Sequence, residues 1–128
     1  FSRSLAKEFD LGKWAFPGKK ALTFPRTGLI ELFCDIHETM AATILVLPNR
    51  AFAVTRSDGS FSLGKVRPGR WTAVAWHRKA DEQAAEIVVE PGKVTRLELA
   101  LRANGWTGQH LDKHSRPYRQ RGGYEKDR

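Results

Sequence analysis

The chain has 128 residues, 41% of them hydrophobic and 28% charged, which bounds it to one ordinary domain or two very small ones with a modest core. No apolar run is long enough to span a bilayer as a helix, and a lone cysteine, Cys34, excludes an intrachain disulfide. The formal charge is +8, and residues 102–128, with seven basic and three acidic side chains, carry +4 of it. Such a basic surface suits an anionic partner. No nucleic-acid motif accompanies it, so nucleic acid is set aside and the basic stretch reads first as a solvated tail. The first residue is Phe1 rather than Met, and Phe1-Ser2-Arg3-Ser4 has no start-like character, so a processed, trimmed or partial chain is expected.

Along the chain no segment sustains an apolar period near 3.6 residues, while strand signals recur with Gly, Pro, Asn and Asp between them. Leu22-Thr23-Phe24 ends at Pro25. Leu29 to Phe33 is a mostly apolar strand leading into Cys34. Thr43 to Leu47 is a β-branched run stopped by Pro48-Asn49. Ala51 to Thr55 and Phe61 to Leu63 flank Ser57-Asp58-Gly59-Ser60, a hairpin signal because Asp-Gly tolerates positive backbone angles. Arg67-Pro68-Gly69-Arg70 places Pro and Gly where a type II turn wants them. Trp71 to Trp76 alternates bulky and small residues, with both indoles expected in the core. Glu86 to Glu90 and Val94 to Leu101 read as a last hairpin around Pro91-Gly92. Many short strands between frequent turns predict an all-β, antiparallel β-sandwich. After Leu101 the composition becomes polar, basic and turn-rich, and residues 102–128 read as a partly ordered extension that Trp106, Tyr118 and Tyr124 can dock onto the body.

The chemistry concentrates in Cys34, His37 and Met40, spaced Cys-x-x-His-x-x-Met, which include the chain's only cysteine and only methionine. A thiolate, an imidazole and a thioether on one short loop after a strand form a soft ligand set of the kind that holds copper for electron transfer. Copper needs nearly one geometry in both oxidation states, so the thiolate belongs on a rigid strand end with its companions on the turn that follows. The bland alternative is a small buried thiol, a loop histidine and a methionine filling a gap. No Ser-His-Asp order, paired carboxylate cluster or phosphate loop stands out, and Asp81-Glu82 reads as a solvated loop, so no enzyme is expected.

Phe33-Cys34-Asp35-Ile36-His37-Glu38-Thr39-Met40 resembles the ligand loop of the cupredoxins, the blue-copper family, and its short spacing looks most like the amicyanin-type members. The resemblance implies one type 1 copper ion held by Cys34, His37 and a weakly bound axial Met40, with His37 also forming the exposed edge for electron transfer. In that family a fourth ligand, a histidine, comes from an earlier strand, often within His-Asn-Val-Phe-Ser. Phe1-Ser2 looks like the end of that context, and no histidine precedes His37. The resemblance therefore implies a fourth ligand upstream of Phe1; otherwise the site is incomplete, or His77, His110 or His114 completes it without support from their spacing. Further on, Phe52-Ala53-Val54-Thr55, Asp58-Gly59-Ser60-Phe61 and Val66-Arg67-Pro68-Gly69-Arg70-Trp71 look like the carboxypeptidase-regulatory-like module, a transthyretin-like β-sandwich.

The expected organisation is thus a cupredoxin-like part over 1–47, the second module over 43–101 with a shared strand at the junction, and the basic tail over 102–128. The whole resembles periplasmic plastocyanin-like proteins, including some linked to methylamine utilisation, which implies a periplasmic electron carrier with a redox partner protein; the basic charge suits an acidic one. Competing expectations are a copper chaperone or sensor, for which the chain lacks a Met-rich or Cys-rich surface, and a structural or carbohydrate-facing module with a degenerate site. Trp14, Trp71, Trp76 and Trp106 are the residues available for sugar stacking.

Overall fold

The structure, a computed structural model, describes residues 1–13, 15 and 17–118. It is all-β: every strand pair is antiparallel, and no helix occurs among the described residues. None of them therefore forms a helix long and apolar enough to cross a membrane. Among the described residues six strands form three two-stranded sheets, and the chain divides into two compact units: Phe1–Val46 with the stretch from Thr107, and Leu47–Trp106.

The first unit opens with β1 (Ser2–Ser4) and β2 (Lys7–Phe9), a tight hairpin pairing Ser2 with Phe9 and Ser4 with Lys7. Sequence patterning gave no sign of these two strands, which are only three residues each and largely polar. The hairpin is held by β3 (Gly28–Phe33), which lies against β1. The Glu31 amide donates to Ser4 Oγ at 2.9 Å, and Phe1 and Phe33 exchange two backbone hydrogen bonds of 2.8 and 2.9 Å. That reciprocal exchange is the mark of an antiparallel hydrogen-bonded pair. Gly28 sits at φ 136, where a Cβ would lie 3.3 Å from Ala6 Cβ, so the approach of the β1–β2 turn and the backbone angle both favour glycine. β4 (Ala41–Val46) completes the unit, in register from Gly28 opposite Val46 to Phe33 opposite Ala41. Ile30 and Ser2 are both buried in this unit, and Ile30 is its fully buried apolar anchor.

The second unit is built on β5 (Gly69–Ala75) and β6 (Gln83–Val89), paired over seven residues from Gly69 opposite Val89 to Ala75 opposite Gln83. The partner of β6 differs from the expected one. Residues 94–101 form no strand, and only Thr95 reaches back, its hydroxyl donating to Val88 O at 2.7 Å. The expected strands at 22–24, 51–55 and 61–63 are also absent. Residues 51–61 are all exposed, so their apolar side chains have no buried face to align a ladder. The turn between them does form: the Arg56 amide donates to Ser60 O at 2.9 Å, the Ser60 amide to Asp58 Oδ1 at 2.9 Å, and Gly59 adopts φ 83. Trp71 is 42% exposed rather than in the core, its indole N–H donating to Arg67 O at 2.8 Å. Trp76 is half-buried, and Asp81 and Glu82 are exposed.

The expected tail is divided between the units. Residues 102–106 return beside 79–81, where the Asp81 amide donates to Arg102 O at 2.9 Å and the Asn104 amide to Lys79 O at 3.0 Å. The Arg78 guanidinium lies 3.7 Å over the Trp106 ring, a cation–π contact. From Thr107 the chain belongs to the first unit. Trp14 and Tyr124 lie outside the described residues.

Candidate metal centre

The β3–β4 hairpin builds the centre. Its register runs up to Phe33 opposite Ala41, so Cys34 and Met40 face each other at the mouth and the five residues between them form the loop. The Cys34 amide donates to Met40 O at 3.0 Å, extending the ladder, and the Met40 amide donates to His37 O at 3.1 Å, closing a tight turn within the loop. That turn swings His37 back toward the cysteine: Cys34 Sγ and His37 Nδ1 lie 3.5 Å apart.

This separation fits one metal ion. At the roughly 2.3 Å and 2.0 Å bonds that zinc makes to thiolate and imidazole, tetrahedral angles hold sulfur and nitrogen about 3.5 Å apart. Without metal, the same spacing serves a sulfur–nitrogen hydrogen bond. Cys34 is half-buried whereas His37 is exposed, so an imidazole edge faces outward and the sulfur lies deeper. Met40 is 58% exposed and Ile36 53% exposed, both on the same loop. The backbone brings Met40 to the mouth opposite Cys34, and the thioether belongs to the same loop as the pair. Among the described residues no three His, Cys, Asp or Glu side chains converge where a metal ion could sit. The close side-chain pair is therefore Cys34 with His37.

His77 Nδ1 accepts from the Lys79 amide at 3.1 Å, and His114 is exposed. His110 does reach the loop, but through backbone: its Nε2 is 3.0 Å from Cys34 O and its Nδ1 2.9 Å from Gly108 O, so both ring nitrogens face carbonyl oxygens rather than the sulfur. Its ring stacks on Phe33, with centroids 4.5 Å apart and 29° between planes.

Two further residues touch the loop that sequence spacing did not single out for it, Tyr118 and Lys113. Tyr118 donates its hydroxyl to Cys34 O. Burial, with the negative charge of Asp35 nearby, pushes its phenol up to about 12. Lys113 donates its amide to Asp35 Oδ1 at 3.0 Å, and its ammonium lies 2.9 Å from Asp10 Oδ2 and 3.6 Å from Asp35 Oδ2. The Asp10 hydrogen bond raises the Lys113 ammonium above its ordinary range, and the same contact holds the Asp10 carboxyl below the usual carboxylate range. Asp112 is likewise held low, first by the Arg116 amide and then by that of His114. The one sequence signal for this cover was an aromatic residue, Tyr118, inside a polar stretch.

The chain matches no protein-family model, no curated protein and no solved structure.

Proposed function

We propose that this chain is a copper-binding electron-transfer module of the exported, periplasmic kind, with Cys34, His37 and Met40 as ligands. The observation that carries the reading is the 3.5 Å approach of Cys34 Sγ to His37 Nδ1 at the mouth of a hairpin that also presents Met40. In this reading the first unit is a cupredoxin-like β-sandwich and the second a transthyretin-like one. Copper bound there supplies one-electron redox chemistry. The residues supply the geometry: Cys34 on the strand end fixes the sulfur, His37 offers an exposed edge to a partner, and Met40 completes the soft set.

The fourth ligand is a histidine upstream of Phe1. The reciprocal hydrogen bonds of Phe1 and Phe33 support this, because chain continuing β1 upstream runs alongside Cys34. The partner is a redox protein with an acidic face, which the formal charge of +8 favours. Association with it slows steeply as salt rises, and indifference to ionic strength refutes that choice of partner.

One observation favours a second reading. Among the described residues no third His, Cys, Asp or Glu side chain joins Cys34 and His37, which favours a structural β-module with an incomplete site. The deciding experiment is a Cu(II) titration followed by visible absorption and EPR, on this chain and on one extended upstream of Phe1. An intense thiolate band in the extended form, lost in Cys34→Ser, supports the copper reading. A band already in the shorter chain transfers the fourth position to another residue. No band in either form refutes electron transfer and leaves the structural module.

A further inference from the structure

The stretch from Thr107 to Tyr118 crosses the mouth of the β3–β4 hairpin and grips the Cys34–Met40 loop at both ends. At the cysteine end, the Tyr118 hydroxyl donates to Cys34 O, and His110 Nε2 lies 3.0 Å from the same oxygen. At the histidine end, the His110 amide donates at 3.1 Å to the carbonyl of Glu38, the residue after His37. Between them the Lys113 amide binds Asp35 Oδ1 at 3.0 Å.

The stretch is also tied down beyond the loop. Lys113 pairs with Asp10 at 2.9 Å, and the Arg3 guanidinium donates to Lys113 O. It keeps its own shape through Asp112, whose Oδ1 accepts from the His114 and Arg116 amides at 2.8 and 2.9 Å, with Ser115 turning the chain at φ 61. The His110 ring, stacked on Phe33, meets Tyr118 edge-on at 5.5 Å.

We infer that residues 107–118 are a strap that holds Cys34 and His37 in metal-binding geometry before the metal arrives, with His110 and Tyr118 as its positioning residues. This rests on the copper reading. A loop with few internal bonds must be ordered when it binds a ligand, and that ordering weakens affinity. Here the ordering is already done by donors that reach the peptide of Cys34 and the carbonyl beside His37. Both ligands then keep their separation in the empty and the loaded protein, which also limits rearrangement during electron transfer. Partners behind the ligands act in this way at other metal sites, where their loss weakens binding roughly 10- to 100-fold.

The test uses the chain extended upstream of Phe1, unaltered and as Tyr118→Phe, His110→Ala and the control Leu111→Ala. Leu111 is 49% exposed on the same stretch, and its side chain makes no bond to the loop. Two readouts are taken: amide exchange at Cys34 and Met40 without metal, and titration with Co(II) alone, followed by its thiolate band. Tyr118→Phe and His110→Ala should each speed exchange at these amides roughly fivefold and weaken Co(II) binding roughly tenfold. Leu111→Ala should change neither, and exchange in β5 and β6 should stay as it was in all forms. Unchanged loop exchange in both strap variants overturns the strap. Faster exchange with unchanged Co(II) affinity overturns its positioning role. No thiolate band in the unaltered protein refutes the copper reading itself, and the strap's role toward metal falls with it.

Discussion

Ile30→Ala tests the account of the first unit most directly. Ile30 is fully buried, whereas its neighbour Leu29 points to the other face of β3 and is 40% exposed. Each substitution by alanine removes three carbons. At about 0.8 kcal/mol per buried carbon, Ile30 loses about 2.4 kcal/mol of transfer energy. A residual cavity adds to this, which places Ile30→Ala at about 3 kcal/mol. Leu29→Ala loses only the buried share of the same atoms, about 1.4 kcal/mol, and opens toward solvent rather than leaving a void. In a unit of this size about 1 kcal/mol corresponds to a melting shift of about 4–8 °C, so the two variants separate by roughly 6–13 °C. Urea unfolding followed by far-UV circular dichroism, compared at equal m-values, measures both. Equal losses, or a loss below about 1 kcal/mol for Ile30→Ala, refute the claim that this side chain is the anchor holding β3 in place behind Cys34.

Two pH experiments follow from the cover over the loop. In a Tyr124→Phe background, Tyr118 should ionise near 12 rather than near its ordinary 10.0, as read by phenolate absorbance. Because the folded-state value is the raised one, the stability tied to this phenol is intact below the unfolded value and is lost as pH rises toward about 12; ionisation near the ordinary value refutes the burial and the bond to Cys34 O. At the acid end Asp10 and Asp112 are held below their ordinary 3.8, so the unfolded chain takes up protons first as pH falls and stability drops below that value. Asp112→Asn keeps an acceptor for the two amides but removes the charge, and should flatten the acid loss in exchange protection of residues 112–116. An unchanged acid profile in that variant removes Asp112 from the account.

Local strand and turn chemistry was legible where a segment carried its own signal. The β3–β4 hairpin was readable because an apolar run and a β-branched run flank a short loop, and Asp58-Gly59 announced a turn that forms with Gly59 at φ 83. β1 and β2 were not readable: their residues are largely polar, and what holds them is distant in sequence, the bonds of Glu31 to Ser4 Oγ and of Phe33 to Phe1. Trp71 was misplaced because alternation identifies a face but not what covers it; its indole lies partly open over the Arg67 carbonyl. The strand expected at 94–101 failed for a related reason, since β6 takes β5 as its partner and pattern alone does not choose between partners.

For the candidate site, the amino-acid order alone determined the donor types and their spacing. A strand followed by Cys34, His37 and Met40 brings a thiol and an imidazole onto one short loop through local turn geometry. Tertiary structure decided which of those donors approach, setting Cys34 and His37 3.5 Å apart. It also decided that His110, 76 residues on from Cys34, sets a ring nitrogen against the Cys34 carbonyl rather than against the sulfur. Contacts at that separation carry no local periodicity, because they arise only when a distant segment folds back and finds carbonyls and a carboxylate to bind.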